Sequence, residues 1–168
     1  MNKAIGNLTQ AMERAAAIRP KVGGFPYLAE SLRQAGVSLN VWTLPACQSL
    51  FLTDLGPVMM QGTPLMSGSM DVPPFDQEAL ITALRIDQSG NSTFPEFLEA
   101  TWRAGVVRYN VDFAARSVAY LGCNGERYVE TYPAVEINQS ATCEVSVQSA
   151  PTRNRSISLL GRLQEIPL

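Results

Sequence analysis

The chain has 168 residues, 46% of them hydrophobic and 17% charged, with a formal net charge of −2 and no histidine. A chain of this length folds as one domain or two intimate halves burying about two-thirds of its unfolded surface. Lysine occurs only at Lys3 and Lys21, so neither a nucleic-acid footprint nor a basic membrane-binding run is present, and the missing histidine excludes a Ser-His-Asp or Cys-His centre, histidine metal ligands and the usual near-neutral base.

The first element is an amphipathic helix, with Leu8, Met12, Ala15, Ala16 and Ile18 recurring at helical spacing. Arg19-Pro20 ends it, because a residue before proline avoids the helical region. Charges interrupt this opening stretch, which therefore lacks the continuous apolar core of a signal peptide. Gly23-Gly24 leads into Phe25-Pro26, with proline at the first position of a second helix, and Gly36 stops that helix. A strand, a turn at Asp54-Leu55-Gly56 and further strand residues follow. Pro64 to Asp76 reads as a connector rich in Gly and Pro.

The second half begins with a helix from Phe75 to Ile86, a break at Ser89–Thr93, and a helix opened by Pro95 and closed by Gly105. Val107, Tyr109, Val111 and Phe113 then alternate with Arg108, Asn110 and Asp112, the pattern of a half-buried strand. Ser117 to Leu121 and Arg127 to Tyr132 read as two more strands, joined at Asn124-Gly125, a dipeptide suited to a tight hairpin with positive φ at both positions.

The halves are copies. FPYLAESLRQAGV from Phe25 and FPEFLEATWRAGV from Phe94 superpose at an offset of 69 positions. The same offset pairs Ala46 with Ala115, Phe51 with Tyr120, Gly56 with Gly125 and Pro64 with Pro133, without a gap. The expected fold is α+β: two tandem helix-helix-three-strand repeats forming a pseudo-symmetric antiparallel sheet domain, as two small sheets or one joined sheet with helices on one side. The expected boundaries are 1–64 for repeat one, 65–74 for a linker, 75–137 for repeat two and 138–168 for a polar C-terminal tail, flexible or loosely docked, with a short apolar turn expected at Leu159, Leu160 and Leu163.

RPKVGGFPYLAESLRQAGV, WTLPACQSLFLTDLGPV, QGTPL, DVPPFDQEALITALR and STFPEFLEATWRAGVVRYNVDFAARSVAYLGCNGERYVETYPAVEI resemble a bacterial family of unknown function whose members often carry the label "phage envelope protein". The resemblance covers roughly residues 10 to 137 and rests on long phrases. It implies no activity, cofactor or catalytic residue, and the tail extends past its usual end.

Other chemistry is sparse. Cys47, Cys123 and Cys143 are odd in number and widely spaced, the pattern of free thiols in a reducing cytoplasm; too few lie together for a zinc site. Gly23-Gly24 follows a helix and no GK[ST] follows it, so it is no phosphate loop. The densest polar set is Arg108, Asn110 and Asp112 with Glu126, Tyr128, Glu130 and Tyr132, where the first copy has Leu39, Val41, Thr43, Met59, Gln61 and Thr63. This set reads either as a wetted sheet face or as the polar wall of a pocket between the repeats whose other wall is apolar. Trp42 is either core or ligand wall. Cys47 and Cys123 read as inert thiols ahead of nucleophiles, and Asp112 with Arg116 as a local ion pair.

The expected function is binding of a small organic molecule between the repeats, through Trp42, Arg108, Asn110, Asp112, Tyr120, Tyr128 and Glu130. The alternatives are a histidine-free, metal-independent enzyme of isomerase or cyclase type, using Asp112, Glu130 and Tyr128 as acid and base, and a phage-derived or regulatory interaction module. A cytoplasmic protein is expected, with no cofactor, metal, nucleic acid or membrane, and with a homodimer as the candidate assembly.

Overall fold

The computed structural model describes residues 2–137; the expected tail and Cys143 lie outside them. Four helices and six strands follow in the order α1 (Lys3–Ile18), α2 (Phe25–Gln34), β1 (Val37–Thr43), β2 (Gln48–Thr53), β3 (Val58–Gln61), α3 (Gln77–Gln88), α4 (Phe94–Arg103), β4 (Arg108–Asp112), β5 (Ser117–Leu121) and β6 (Arg127–Thr131). This is the α+β helix-helix-strand order written twice.

Capping chemistry sets the helix starts. Asn2 accepts from the Ala4 N–H, so α1 begins five residues before Leu8. Asp76 accepts from the Ala79 N–H, moving α3 from the expected Phe75–Ile86 to Gln77–Gln88. Thr93 and Glu96 form a reciprocal capping box at α4, with proline in the first turn. Both second helices end on a glycine with positive φ, Gly36 at 81° and Gly105 at 79°, the left-handed position that lets the chain leave the helix and enter a strand.

The strands join into one antiparallel sheet of order β3-β2-β1-β4-β5-β6. The repeats meet along β1 and β4, where Leu39 pairs with Asp112, Trp42 with Tyr109, and Val41 with Asn110. Val41 and Asn110 occupy the same position in the two copies, so a pseudo-two-fold axis pierces the sheet between them. Backbone detail follows the symmetry: Leu44 N–H donates to Val107 O at 2.8 Å and its counterpart Phe113 N–H to Ser38 O at 3.2 Å. Even the unusual left-handed residues match, with Cys47 at φ 51° and Arg116 at φ 50° closing the first hairpin of each repeat.

The four helices share one core with one face of the sheet. Leu8, Leu32, Leu80 and Phe97 cluster there with Phe51, Tyr109, Val111, Val118 and Tyr120. The other face carries Leu39, Val41, Leu50, Asn110 and Ala119, none of which belongs to that core.

The ungapped offset fails in the third strand. Phe51 pairs with Val58 in repeat one, whereas Tyr120 pairs with Tyr128 in repeat two, an offset of 70 in place of 69. The cause is the second turn. The Gly122 N–H reaches the Glu126 carbonyl at 3.0 Å, and the Glu126 carboxylate accepts from the Asn124 N–H at 2.8 Å. The result is a five-residue loop in which Gly125 has φ 90° and Asn124 is not left-handed, in contrast to the expected tight Asn-Gly turn. A one-residue slip sends every side chain of a strand to the opposite face, and that slip decides where the polar residues go.

Candidate functional site

The expected polar wall is divided between two faces. Arg108, Asn110 and Asp112 point away from the helices, being out of phase with buried Tyr109 and Val111. Tyr128 lies across from buried Tyr120 and Glu130 across from buried Val118, so both sit on the helix side, as does half-buried Tyr132. The acid–base candidates are occupied structurally as well. Asp112 accepts from the Ala115 N–H at 2.8 Å and so caps its turn. Glu130 accepts from Arg85 at 3.1 Å and from Gln88 at 3.0 Å, tying β6 to α3. Tyr128 packs against Tyr120, with ring centroids 6.4 Å apart. Glu126 is spent on its own turn, where its own backbone N–H, and after it that of Asn124, hold its carboxyl below the usual range.

What the fold builds is a pair of pseudo-equivalent clefts. The Phe-Pro start of each second helix lies over the sheet of the other repeat. Phe94 of α4 meets Trp42 edge-on at 5.3 Å, and Phe25 of α2 meets Tyr132 edge-on at 5.0 Å. The first cleft encloses a cavity of about 110 Å³ between the repeat-one sheet and α2 and α4. The second, of about 320 Å³, lies between the repeat-two sheet, α3 and the start of α2.

The first cavity is apolar apart from a few groups. Its walls include Phe51, Leu98, Phe113 and Tyr109, the last stacked on Trp42 with centroids 6.0 Å apart. The polar groups come from repeat one: buried Asn40 donates to Ser49 Oγ at 2.6 Å, and the Trp42 indole nitrogen is buried with no hydrogen-bond partner among the described residues. The expected assignment, polar wall from the second copy and apolar wall from the first, is therefore reversed here. Burial raises the Cys47 thiol, keeping it protonated and consistent with an inert thiol. The exposed Thr63 and Pro95 stand at the rim.

The second cleft contains Tyr120, Glu130 and Tyr132, with Arg85 and Gln88 from α3. Glu130 and Tyr132 stand where repeat one has Met60 and Gly62, and a side chain on Gly62 would press on Cys47, whose carbonyl lies 3.0 Å from where its β-carbon would sit. Of the ligand residues expected from sequence, Trp42 belongs to the first cavity and Tyr120 and Glu130 to the second, while Arg108, Asn110 and Asp112 belong to neither. Sequence reasoning missed Asn40, Ser49 and Phe94 as site residues. The doubled Phe-Pro was the available signal, since its partner in each case lies in the opposite repeat.

Tyr132 supplies a pH test. Burial pushes its phenol up to about 12, and burial drives those of Tyr109 and Tyr120 well above the ordinary value as well. A proton held more tightly in the folded state stabilises it fully below the unfolded pKa near 10, and this is lost as pH rises through the folded value. Stability is thus expected to fall between about pH 10 and 12. Tyr132→Phe should flatten part of that slope and cost nothing at pH 7, because the Tyr132 hydroxyl is buried without a partner among the described residues. Urea midpoints measured across that range check it; an unchanged slope in the variant refutes the assignment to Tyr132.

No helix among the described residues is long and apolar enough to cross a membrane. No family model matches the chain. Three curated mycobacterial proteins do: Uncharacterized protein Rv2012 and Uncharacterized protein MT2067 of Mycobacterium tuberculosis (strains H37Rv and CDC 1551), and Uncharacterized protein Mb2035 of Mycobacterium bovis. Each is 54% identical over 136 residues, which is 81% of this chain and 83% of the relative. Identity of that extent requires a shared core, hairpins and helix starts, and the chain belongs to the family of these mycobacterial proteins.

Proposed function

We propose that the protein binds a small, largely apolar molecule carrying a hydrogen-bond acceptor in the first cavity, beneath Trp42 and Phe94. The observation that carries this reading is the cavity itself, about 110 Å³ and lined from both repeats, with Trp42 among its lining residues and the indole N–H of that residue buried without a partner among the described residues. Apolar cavities of about 150 Å³ take up a benzene-sized molecule, so this smaller one has room for a short aliphatic group or one edge of a ring. A larger molecule would extend past Thr63 and Pro95. An acceptor bonded to Trp42 would satisfy a donor that is costly to leave buried.

The acid–base alternative needs Asp112, Glu130 and Tyr128 around one substrate, and they lie on opposite faces of the sheet. Native mass spectra of the purified chain, followed by titration with an environment-sensitive naphthalene dye, test the binding reading. Saturable uptake that perturbs Trp42 emission is expected, falling about tenfold or more in Ser49→Leu, which adds bulk to the wall. Uptake indifferent to Ser49→Leu and to Trp42→Phe would place binding elsewhere.

A further inference from the structure

The sheet face away from the helices is patterned in rows that run across the strands. Its middle row reads Met59, Leu50, Val41, Asn110, Ala119, Val129. Met59 is 58% exposed and Val129 43%, and Leu39 and Leu52 extend the apolar area along one flank. Unpaired apolar patches of this kind mark contact surfaces. The flanking rows carry polar residues, exposed Arg127 among them, and β4 places the one polar residue of the middle row, Asn110. Arg108 and Asp112 are exposed at the opposite ends of β4, one in each flanking row. Between them the Asn110 Oδ1 is buried without a hydrogen-bond partner among the described residues.

We propose that a second copy of this chain docks on this face, sheet against sheet, about a two-fold axis lying along the middle row. Such an axis lays each strand over its own counterpart with the direction reversed. The middle row then packs on itself, so apolar meets apolar in every column but that of Asn110. Arg108 faces the second copy's Asp112, and Asp112 faces its Arg108, which pairs opposite charges twice. Asn110 meets Asn110, and once the two amides rotate outward each N–H₂ can donate to the other's Oδ1, which is buried without a partner in the single chain among the described residues. A two-fold contact must be self-complementary in this sense, and this face is so along its middle row and at Arg108 and Asp112, while Leu39 and Leu52 lie over Thr43 and Gln48 of the second copy.

The sheet spans about 24 Å across six strands and about 17 Å along them. The projected patch is about half the roughly 800 Å² per partner that stable interfaces bury, which puts this contact among the weak, transient ones. The dimer should therefore be reversible, not obligate.

Sedimentation velocity of the full chain over a concentration series tests the proposal. The expected result is a reversible shift to twice the 18.3 kDa chain mass. Val129→Lys and Val41→Lys should each weaken association about 100-fold by burying an uncompensated charge. Arg108→Glu should weaken it about tenfold, and Arg108→Glu/Asp112→Arg should recover most of that loss, which a general loss of solubility would not do; far-UV circular dichroism verifies the fold of each variant. A chain that keeps its monomer mass throughout overturns the proposal, whatever else covers the face. So does a dimer indifferent to both Val129→Lys and Arg108→Glu.

Discussion

Replacing Gly105 by alanine is expected to destabilise the fold by about 2–5 kcal/mol, while the same change at its counterpart Gly36 costs about 1–2 kcal/mol. Both glycines end a helix with nearly the same positive φ, so the penalty for forcing an L side chain into the left-handed region is common to both. What differs is the surroundings. A β-carbon on Gly105 would meet Pro74 O at 2.5 Å and the Phe75 backbone at 2.6 Å. Those atoms belong to a stretch held in place by the Asp76 N–H bond to Ala104 O at 2.9 Å. A β-carbon on Gly36 would meet the end of the Asp54 side chain at 2.6 Å, which can swing into solvent. Urea denaturation of the two variants measures the contrast; equal losses would mean that the connector before α3 yields as easily as an exposed carboxylate.

Phe94→Ala is expected to cost about 3–5 kcal/mol, the range for truncating a buried phenylalanine, and to increase uptake of an apolar probe. Phe94 is 5% exposed and touches both Trp42 and Phe97, so its removal deletes contacts between the repeats and enlarges the first cavity. Tyr132→Ala should also destabilise the fold, through its lost contact with Phe25, but it opens the polar cleft, the one of the two that Tyr132 lines. Thermal unfolding and dye titration separate the two effects. If both variants gain the same probe binding, the first cavity is not the preferred apolar site.

The helices and the first two strands of each repeat were legible because their signals are local. Phe-Pro, Gly36, Gly105 and the alternation around Tyr109 each act within a few residues of themselves. The face of β6 was not legible from the same signals. Asn124-Gly125 suggests a two-residue turn, but the Glu126 carboxylate, by accepting from the Asn124 N–H, holds a longer loop. One extra residue moved Tyr128 and Glu130 beneath the helices and left Arg108, Asn110 and Asp112 behind on the open side. The site itself depends on contacts between repeats, such as Phe94 with Trp42, which no local pattern encodes. Asn40 and Ser49 were invisible for a related reason: as small polar residues in a strand they look solvent-facing until the register turns them inward.

The pseudo-two-fold axis between Val41 and Asn110 also constrains ancestry. A protein made of two separate, identical half-chains would carry one residue type at both of these positions and would present two identical clefts. Any substitution improving one cleft would be imposed on the other. Joining the copies in a single gene lifts that restriction. Glu130 could then diverge from Met60 and Tyr132 from Gly62, leaving one cleft apolar and the other polar within an almost unaltered frame. Fusion thus separated the evolution of the two clefts from the preservation of the backbone they share.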